Sequence, residues 1–318
     1  KDQSSILRGK TLYTMFFNSS LRTRSTFAAG IQQLGGFHVD LEPGKTYTPA
    51  RKGYEIAYKT ERISDVAQVL SRTGDAIAIR MYGAPAKWIY GFAHETMQEF
   101  AQYSDIPVLN MECDKYHPCQ GVADMMTIKE KFGGFKGVKY VMSWAYSAST
   151  AKPFAVPQTG VLAPALLGCD VTFACPKGFE LDPKVMSTAK QYCEQNNAKF
   201  EMTNDMDEAF EGAHVVYPKA WGALQYFASV DQEGNLTKKE NLEGMKELFD
   251  ANKDWICNAE RMKRIDKNGI YMHCLPADRD MEVTDEVIDG PRSVVYDQAE
   301  NRLHGQKAVM ALTMGGRL

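Results

Sequence analysis

Residues 16–27 place two guanidinium groups among several hydroxyl side chains, a combination suited to binding a small anion. Arg22 can offer a two-pronged hydrogen bond to a phosphate. Ser20 and Thr23 can donate hydrogen bonds from their hydroxyls. The stretch therefore predicts an anion site. The alternative is a capped surface helix with solvated arginines, because serine and threonine are common at helix starts.

The elements on either side of this stretch favour the anion site. Thr11–Phe17 is apolar, aromatic and β-branched, which predicts a buried strand. Phe27, Ile31 and Leu34 recur at helical spacing, which predicts that a helix follows. A turn between a strand and a helix exposes free backbone N–H groups and the positive end of the helix dipole.

Strand-like and helix-like segments alternate along the chain, which predicts an α/β fold with parallel sheets. The predicted strands are Thr11–Phe17, Ala76–Arg80, Val108–Asn110, Tyr140–Ser143, Asp170–Ala174, Val215–Tyr217 and Ile270–Met272. The predicted helices are Ser25–Leu34, Ile63–Ser71, Glu95–Gln102, Ala123–Phe132, Val161–Leu167, Pro183–Gln195, Met206–Glu211 and Gln306–Thr313. Residues 37–58 lack clear periodicity and are predicted to form a long functional or mobile loop.

Two further side chains lie where α/β proteins bind ligands. Arg80 ends a predicted strand, and open parallel sheets bind ligands beyond the carboxyl ends of their strands. The alternative is an arginine that reaches solvent. His117 lies between a predicted strand and a predicted helix, although a lone histidine is more often a structural hydrogen-bonding group than a catalyst.

Composition limits the class of protein. The chain has 318 residues, of which 44% are hydrophobic and 24% charged, with a formal net charge of -3. That suits one large or two ordinary domains and argues against nucleic acid as the main partner, because phosphate neutralisation requires a basic face. Seven scattered cysteines without metal-type spacing predict reduced thiols in the cytoplasm. We find no apolar run of membrane-spanning length, no signal peptide and no GxGxxG fingerprint.

Four motifs, in the same order, resemble those of the aspartate/ornithine carbamoyltransferase family. Ser20-Leu21-Arg22-Thr23-Arg24 is similar to the family's carbamoyl-phosphate loop, usually Ser-Thr-Arg-Thr-Arg, with Leu21 as the departure. The others are His117-Pro118-Cys119-Gln120, His273-Cys274-Leu275-Pro276 and Asn301-Arg302-Leu303-His304. The resemblance covers nearly the whole chain, from Leu7 to Leu318. An N-terminal helix usually precedes the first strand in this family, so we expect part of the natural chain to lie before Lys1.

The resemblance implies a ligand role for each matched residue. Carbamoyl phosphate would be bound by Ser20, Leu21, Arg22, Thr23, Arg80, His117, Gln120, Cys274, Leu275 and Arg302. Of these, the catalytic residues would be His117, Arg302, Thr23 and Arg80, which would stabilise the carbonyl oxygen or the leaving phosphate.

The amide end of the carbamoyl group would be held by Gln120 and by the backbone carbonyls of Cys274 and Leu275. A thiolate nucleophile at Cys274 is the alternative, because a cysteine beside a histidine can ionise. Asp124 continues the family pattern, and its expected role is to support its helix.

The region expected to bind the carbamoyl acceptor departs from the ornithine enzymes. Those enzymes carry an Asp-x-x-x-Ser-Met-Gly stretch, which this chain lacks. Residues 144–158 and 216–221 instead resemble the knotted branch of the family, which includes enzymes for N-acetyl- and N-succinylornithine and a poorly characterised catabolic-type group. Both stretches are most similar to those of the catabolic-type group. The resemblance implies Trp144, Lys152, Lys219 and Trp221 as acceptor residues, with core packing as the alternative for both tryptophans.

The resemblance also implies an architecture. We expect two doubly wound αβα domains with parallel sheets. Residues 1–128 would bind carbamoyl phosphate, with residues 293–318 packing back onto them, and residues 129–292 would bind the acceptor and carry a knotted loop. Lys59 would enter a neighbouring subunit's site, so a homotrimer is expected. The alternative for Lys59 is an ordinary charged helix start.

The sequence therefore predicts a carbamoyltransferase acting on carbamoyl phosphate and an amine of an amino-acid derivative, or the reverse phosphorolysis of a ureido compound. No metal or other cofactor is implied. The alternatives are an ornithine carbamoyltransferase proper, an NAD(P)-dependent oxidoreductase on a similar fold, and a non-catalytic relative. The missing glycine fingerprint counts against the oxidoreductase, and the set of phosphate ligands, complete except at Leu21, counts against the non-catalytic relative.

Overall fold

The computed structural model describes residues 3–150, 152–231 and 235–315. The chain forms two compact units. The first comprises the residues up to Cys119 together with those from Arg302 onward, and the second comprises Gln120–Asn301. Both divisions fall within long helices. The domain limits expected near residues 128 and 293 stay a prediction.

The first unit is built on a four-stranded parallel sheet. Its elements are β1 (Thr11–Phe16), α1 (Arg22–Gln33), β2 (Phe37–Asp40), β3 (Thr48–Ala50), β4 (Thr60–Arg62), α2 (Ile63–Thr73), β5 (Ala76–Arg80), α3 (Phe92–Tyr103), β6 (Val108–Glu112) and the start of α4 (Pro118–Phe132). The central strand β5 is apolar and buried over its first four residues, as expected for a parallel sheet that is covered on both faces. Strands β3 and β4 form a separate parallel pair.

The strand order of this sheet, β2-β1-β5-β6, places the ligand-binding edge. The chain runs outward from β1 to β2 and then returns to place β5 on the opposite side of β1. Open parallel sheets bind ligands at such a reversal, beyond the carboxyl ends of the strands. Phe16 at the end of β1 pairs with Arg80 at the end of β5. The loop before α1 and the Arg80 side chain therefore leave the sheet at the same edge.

The second unit contains a five-stranded parallel sheet. Its elements are β7 (Lys139–Trp144), α5 (Ala155–Leu167), β8 (Asp170–Ala174), α6 (Pro183–Gln195), β9 (Phe200–Thr203), α7 (Met206–Phe210), β10 (Val215–Lys219), β11 (Ser229–Val230), β12 (Leu236–Lys238), α8 (Leu242–Asp250), α9 (Ala259–Met262), β13 (Ile270–Tyr271), α10 (Asp285–Ile288) and the start of α11 (Val295–Thr313). Strands β11 and β12 form an antiparallel pair outside the main sheet.

The sheet of the second unit also reverses its order at one point. Its strand order is β13-β10-β7-β8-β9, so the reversal lies between β7 and β10. Trp144 at the end of β7 pairs with Lys219 at the end of β10. By the same topological rule, the residues that follow β7, β10 and β13 are the ones placed to bind a ligand.

The end of α11 packs in the first unit against α1. Met310, Ala311 and Met314 share its apolar core with Phe27 and Ile31. The contact is close at Gly30, where an added Cβ would lie 2.9 Å from Cε of Met310. A side chain at residue 30 would therefore require the end of the Met310 side chain to move.

The predicted α/β class and parallel sheets are confirmed, and every predicted strand and helix is present. The last helix was predicted too short, because it begins at Val295 and not at Gln306. The prediction that residues 37–58 form a loop is wrong at Phe37–Asp40 and Thr48–Ala50, which are strands. The knotted loop stays a prediction. Among the described residues, no helix is both long and apolar enough to cross a membrane.

Candidate active site

Thr23 is the point where two arginines of the first unit meet. Its Oγ1 accepts a hydrogen bond from Nη2 of Arg302 at 2.7 Å and one from Nη1 of Arg80 at 3.4 Å. Thr23 and Arg302 are both buried. Thr23 lies in the first turn of α1, whose backbone N–H groups have no intrahelical acceptor. Positive charge and free donors therefore converge at one place.

A β-bulge brings an unpredicted carboxylate into this cluster. The pairing of β5 with β6 shifts after Ile79 and Asn110, so that Arg80 lies opposite Glu112. Bulges of this kind re-aim a side chain beside many active sites. Glu112 is buried and forms an ion pair with Arg80. Nη2 of Arg80 also donates to the hydroxyl of Tyr82 at 3.0 Å.

His117 completes the cluster beyond the end of β6. It is 3% exposed, and its Nε2 lies 3.4 Å from Oε2 of Glu112. Burial, and then the charges of Arg302, Arg80 and Arg22, hold the pKa of His117 well below its usual value. The imidazole is therefore neutral near pH 7 and offers one N–H donor.

The rest of the predicted loop is less enclosed. Arg22 is half-buried in the first turn of α1, close enough for its charge to act on His117. Ser20 is half-buried, and the side chain of Leu21 is 75% exposed. Because the Leu21 side chain has no donor or acceptor, any hydrogen bond from this residue to a ligand must come from its backbone.

Arg24, the second arginine of the loop, lies apart from the cluster. It forms an ion pair with Asp40 and stacks over the ring of Phe16, 4.2 Å from its centroid. Asp40 also accepts a hydrogen bond from Thr14 at 3.0 Å. Arg24 therefore stabilises the edge of the sheet at β2.

The residues predicted to hold the carbamoyl amide lie in the second unit. Gln120 is buried in α4 and donates from Nε2 to Oδ1 of Asp124 at 2.7 Å. The N–H of Leu275 donates to Nδ1 of His273 at 2.9 Å. Burial raises the pKa of the Cys274 thiol, so the structure gives the thiolate alternative no support.

Lys219 is engaged by a buried carboxylate. Its Nζ lies 2.6 Å from Oε1 of Glu282, which also accepts the N–H of Ala220 at 2.7 Å. Burial lowers the pKa of Lys219, but Glu282 outweighs it and the net pKa is raised. Burial alone would raise the pKa of Glu282, but Lys219 and then His273 hold it well below its usual value. Lys219 and Glu282 therefore form an ion pair with no net charge.

Lys152 is the more accessible of the two predicted lysines. Its side chain is 18% exposed, and its Nζ lies 2.8 Å from Oδ2 of Asp278. Ser147 donates to the same carboxylate oxygen. Burial raises the pKa of Asp278, but the hydrogen bonds from Lys152 and Ser147 outweigh it and the net pKa is lowered.

Trp144 and Trp221 lie in the core of the second unit, as the core-packing alternative for these two side chains expects. Both are 0% exposed. Nε1 of Trp144 donates to the carbonyl of Trp221 at 3.0 Å, and Nε1 of Trp221 donates to the carbonyl of Phe179 at 2.8 Å. The Trp144 ring packs against Phe179 with centroids 4.3 Å apart. Both indole N–H groups are satisfied by backbone, so neither side chain has a surface to offer a ligand in this unit.

Lys59 lies in an exposed turn immediately before β4. Its carbonyl accepts the N–H of Thr48 at 3.2 Å, which joins the turn to β3. Its expected role in a neighbouring subunit stays a prediction.

Four polar residues of these clusters were not predicted as site residues. They are Glu112, Asp278, Glu282 and Gln298, each buried or half-buried with a hydrogen bond or ion pair to a cluster member. Of these, only Glu112 ends a strand, and that position was the available signal. In the described part of the chain, no group of His, Cys, Asp and Glu side chains is arranged to hold a metal ion.

Family models match most of the chain. The carbamoyl-P binding domain of the aspartate/ornithine carbamoyltransferases matches residues 1–130, and the Asp/Orn binding domain matches residues 156–313.

Individual proteins match over almost the full length. N-acetylornithine carbamoyltransferase from Xanthomonas campestris pv. campestris is 37% identical over 97% of this chain and 88% of the relative. Ornithine carbamoyltransferase from Thermococcus kodakarensis is 39% identical over 98% of this chain and 86% of the relative. A crystal structure of acetylornithine transcarbamylase complexed with acetylcitrulline superposes with a TM-score of 0.88 at 36% identity, covering 97% of this chain and 90% of that one.

The fold, the arginine cluster and these matches agree: the chain belongs to the aspartate/ornithine carbamoyltransferase family. The predicted resemblance and the prediction of a carbamoyltransferase are confirmed. The oxidoreductase alternative is thereby set aside.

Proposed function

We propose that this protein transfers a carbamoyl group from carbamoyl phosphate to an amine of an amino-acid derivative. The observation that carries the proposal is the buried cluster of the first unit, in which Thr23 binds Arg80 and Arg302 beside the neutral His117. Three guanidiniums around a helix start suit a dianion with a polarised carbonyl attached to it.

The chemistry is a direct displacement. A neutral amine attacks the carbonyl carbon of carbamoyl phosphate, the new C–N bond forms, and the C–O bond to phosphate breaks. The attacking nitrogen gives up one proton to the departing phosphate, so the products are a neutral ureido group and inorganic phosphate. Arg22 and Arg80 stabilise the leaving phosphate. Arg302, Thr23 and His117 stabilise the negative carbonyl oxygen, and one such donor is worth about 10²–10³ in rate.

The amide end of the carbamoyl group is assigned to the second unit. Gln120 and the backbone carbonyls of Cys274 and Leu275 accept hydrogen bonds from its NH₂ group. Carbonyl oxygens suit this role because a carbamoyl NH₂ can only donate.

The acceptor is proposed to be an N-acylated ornithine or a related amino-acid derivative. Support comes from the missing ornithine-recognition stretch and from relatives named N-acetylornithine carbamoyltransferase. Lys152 is the proposed partner of the acceptor's carboxylate, because its side chain is partly exposed. Lys219 is proposed to shape the site as a fixed ion pair with Glu282.

Ornithine itself is the second candidate acceptor. It is favoured by the Thermococcus kodakarensis relative, which is named an ornithine carbamoyltransferase and is 39% identical.

We also propose a homotrimer in the cytoplasm, with Lys59 reaching a neighbouring subunit. Exposed apolar side chains of the first unit support an assembly: Tyr58 is 94% exposed, Phe37 65% and Ile56 56%. All seven cysteines are free thiols, which suits a reducing compartment.

The test is an acceptor screen with carbamoyl phosphate, read as phosphate release and as the mass of the ureido product. The panel comprises N-acetylornithine, N-succinylornithine, ornithine and 2,3-diaminopropionate. We expect an acylated ornithine to have the highest kcat/KM. Efficient citrulline formation from low ornithine would overturn the acceptor assignment, and no ureido product from any amine would overturn the proposed function.

A further inference from the structure

A buried hydrogen-bond chain in the second unit joins the two stretches assigned to the carbamoyl amide. Nε2 of Gln120 donates to Oδ1 of Asp124 at 2.7 Å. Nε2 of Gln298 donates to the same oxygen at 2.6 Å, and Oε1 of Gln298 accepts the backbone N–H of His273 at 2.9 Å. All four residues are at most 2% exposed.

The orientation of both side-chain amides follows from the chemistry of their partners. A carboxylate only accepts hydrogen bonds and a backbone N–H only donates. Gln298 must therefore turn its NH₂ toward Asp124 and its oxygen toward His273. Gln120 must likewise turn its NH₂ toward Asp124, so its Oε1 is the end that can accept from a ligand.

The geometry points to Asp124 and Gln298 as positioning residues for carbamoyl recognition, an inference that rests on the proposed function. We infer that Asp124 holds the Gln120 amide with its oxygen toward the carbamoyl NH₂. Gln298 connects the Asp124 carboxylate to the backbone N–H of His273, the residue before Cys274, and so restrains that backbone as well. Without Asp124 the Gln120 amide can rotate and point its NH₂ group at the carbamoyl NH₂ group. Two hydrogen-bond donors would then face each other.

The site so organised would select the amide, not the phosphate. Inorganic phosphate has no NH₂ group, so it does not engage Gln120 or the carbonyls of Cys274 and Leu275. The ratio of the affinities for carbamoyl phosphate and inorganic phosphate therefore reports on the contacts to the carbamoyl group, to which this chain of hydrogen bonds contributes, and not on the contacts to the phosphate. A role limited to holding the fold would change both affinities together.

The experiment measures both affinities by calorimetry in the full-length protein and in three variants. Asp124→Ala and Gln298→Met each remove a link, and we expect the affinity ratio to fall about tenfold or more in each, with inorganic phosphate binding within about twofold of the parent. Asp124→Asn keeps an acceptor oxygen at the same place and is expected to retain most of the parental ratio.

Thr127→Val is the matched control. Thr127 lies one turn after Asp124 on α4, and its buried Oγ1 accepts a hydrogen bond from Asn301 of α11 at 3.0 Å. The substitution removes a buried hydrogen bond between the same two helices without touching Gln120 or His273. We expect it to lower the melting temperature and leave the affinity ratio unchanged.

The outcomes separate this inference from the proposed function. A parent protein that does not prefer carbamoyl phosphate over inorganic phosphate would contradict the proposed function itself. A parent that does, with an unchanged ratio in Asp124→Ala or Gln298→Met, would overturn only the positioning role. If Asp124→Ala does not fold, Gln298→Met alone decides, because it leaves the carboxylate in place.

Discussion

Glu112 shows how one residue can set the charge of an anion site. It forms an ion pair with Arg80 and faces His117 with the same oxygen. Three arginines, one glutamate and a neutral histidine leave a net charge of about two, which matches a phosphate dianion. A bound dianion and Glu112 would compete for Arg80.

Replacing Glu112 with glutamine should therefore destabilise the free protein and strengthen phosphate binding. Loss of the buried ion pair is expected to cost about 2 kcal/mol, because a glutamine still accepts one hydrogen bond. Inorganic phosphate should then raise the melting temperature more in Glu112→Gln than in the parent, as scanning calorimetry would measure. Glu99→Gln is the control, since Glu99 pairs with Arg51 in the same unit. A smaller phosphate effect in Glu112→Gln would show that Glu112 assists binding.

The lowered pKa of His117 makes a separate prediction about acid. The folded protein keeps this imidazole neutral, whereas the unfolded chain protonates it near pH 6.5. Stability that depends on His117 is therefore present above pH 6.5 and is lost as the pH falls below that value. The parent should lose up to about 1.4 kcal/mol per pH unit more than His117→Asn between pH 6.5 and 5.

Denaturant titrations of both proteins at several pH values would measure that difference. Saturating phosphate should reduce it, because a bound dianion favours the protonated imidazole. Equal slopes for the parent and His117→Asn would mean that His117 titrates normally in the folded protein.

At the scale of the element, the sequence predicts long periodic segments well and their starts poorly. Helix α4 begins at Pro118 and α5 at Ala155, each before the first residue of the predicted helix. Prolines at 118 and 157 obscure these starts, although proline is tolerated in a first turn. The start of α3 is capped by Asp114, which accepts the N–H groups of Gly91 and His94 from a distant segment. No local pattern could reveal that contact.

The missed strands are short and lie at sheet edges. Strand β2 has four residues between a glycine pair and a proline loop, and β9 has only half-buried or exposed residues. An edge strand with one neighbour needs little apolar periodicity. Glu112 was missed for a related reason, because only the register shift at the end of β6 places it opposite Arg80. Residue types in the sequence were enough to locate the anion site. Only the pairing of strands in the structure determines which neighbours, such as Glu112, complete it.

At the scale of the whole molecule, the proposed trimer predicts that active sites are shared between subunits. In that trimer Lys59→Ala would remove a group supplied to a neighbour, and Arg22→Ala would remove a group that acts in its own subunit. Each variant alone should be nearly inactive. After mixing, unfolding and reassembly in equal amounts, roughly a quarter of the sites should contain both native residues.

Carbamoyl transfer in the reassembled mixture measures that recovery. Mixing the two proteins without reassembly is the control and should restore no activity. If Lys59→Ala alone were about as active as the parent, Lys59 would not belong to the active site. The proposed need for a trimer in catalysis would then have no support.

The most direct test of the central claim, that the cluster around Thr23 binds carbamoyl phosphate, is a calorimetric titration of three proteins with that compound. Arg22→Ala and Arg24→Ala each remove a guanidinium from the same turn of α1, but only Arg22 belongs to the cluster, since Arg24 pairs with Asp40. We predict that the parent and Arg24→Ala bind carbamoyl phosphate and that Arg22→Ala binds it at least about 30-fold more weakly. Equal affinity in Arg22→Ala and the parent, or no binding by the parent, would contradict the account.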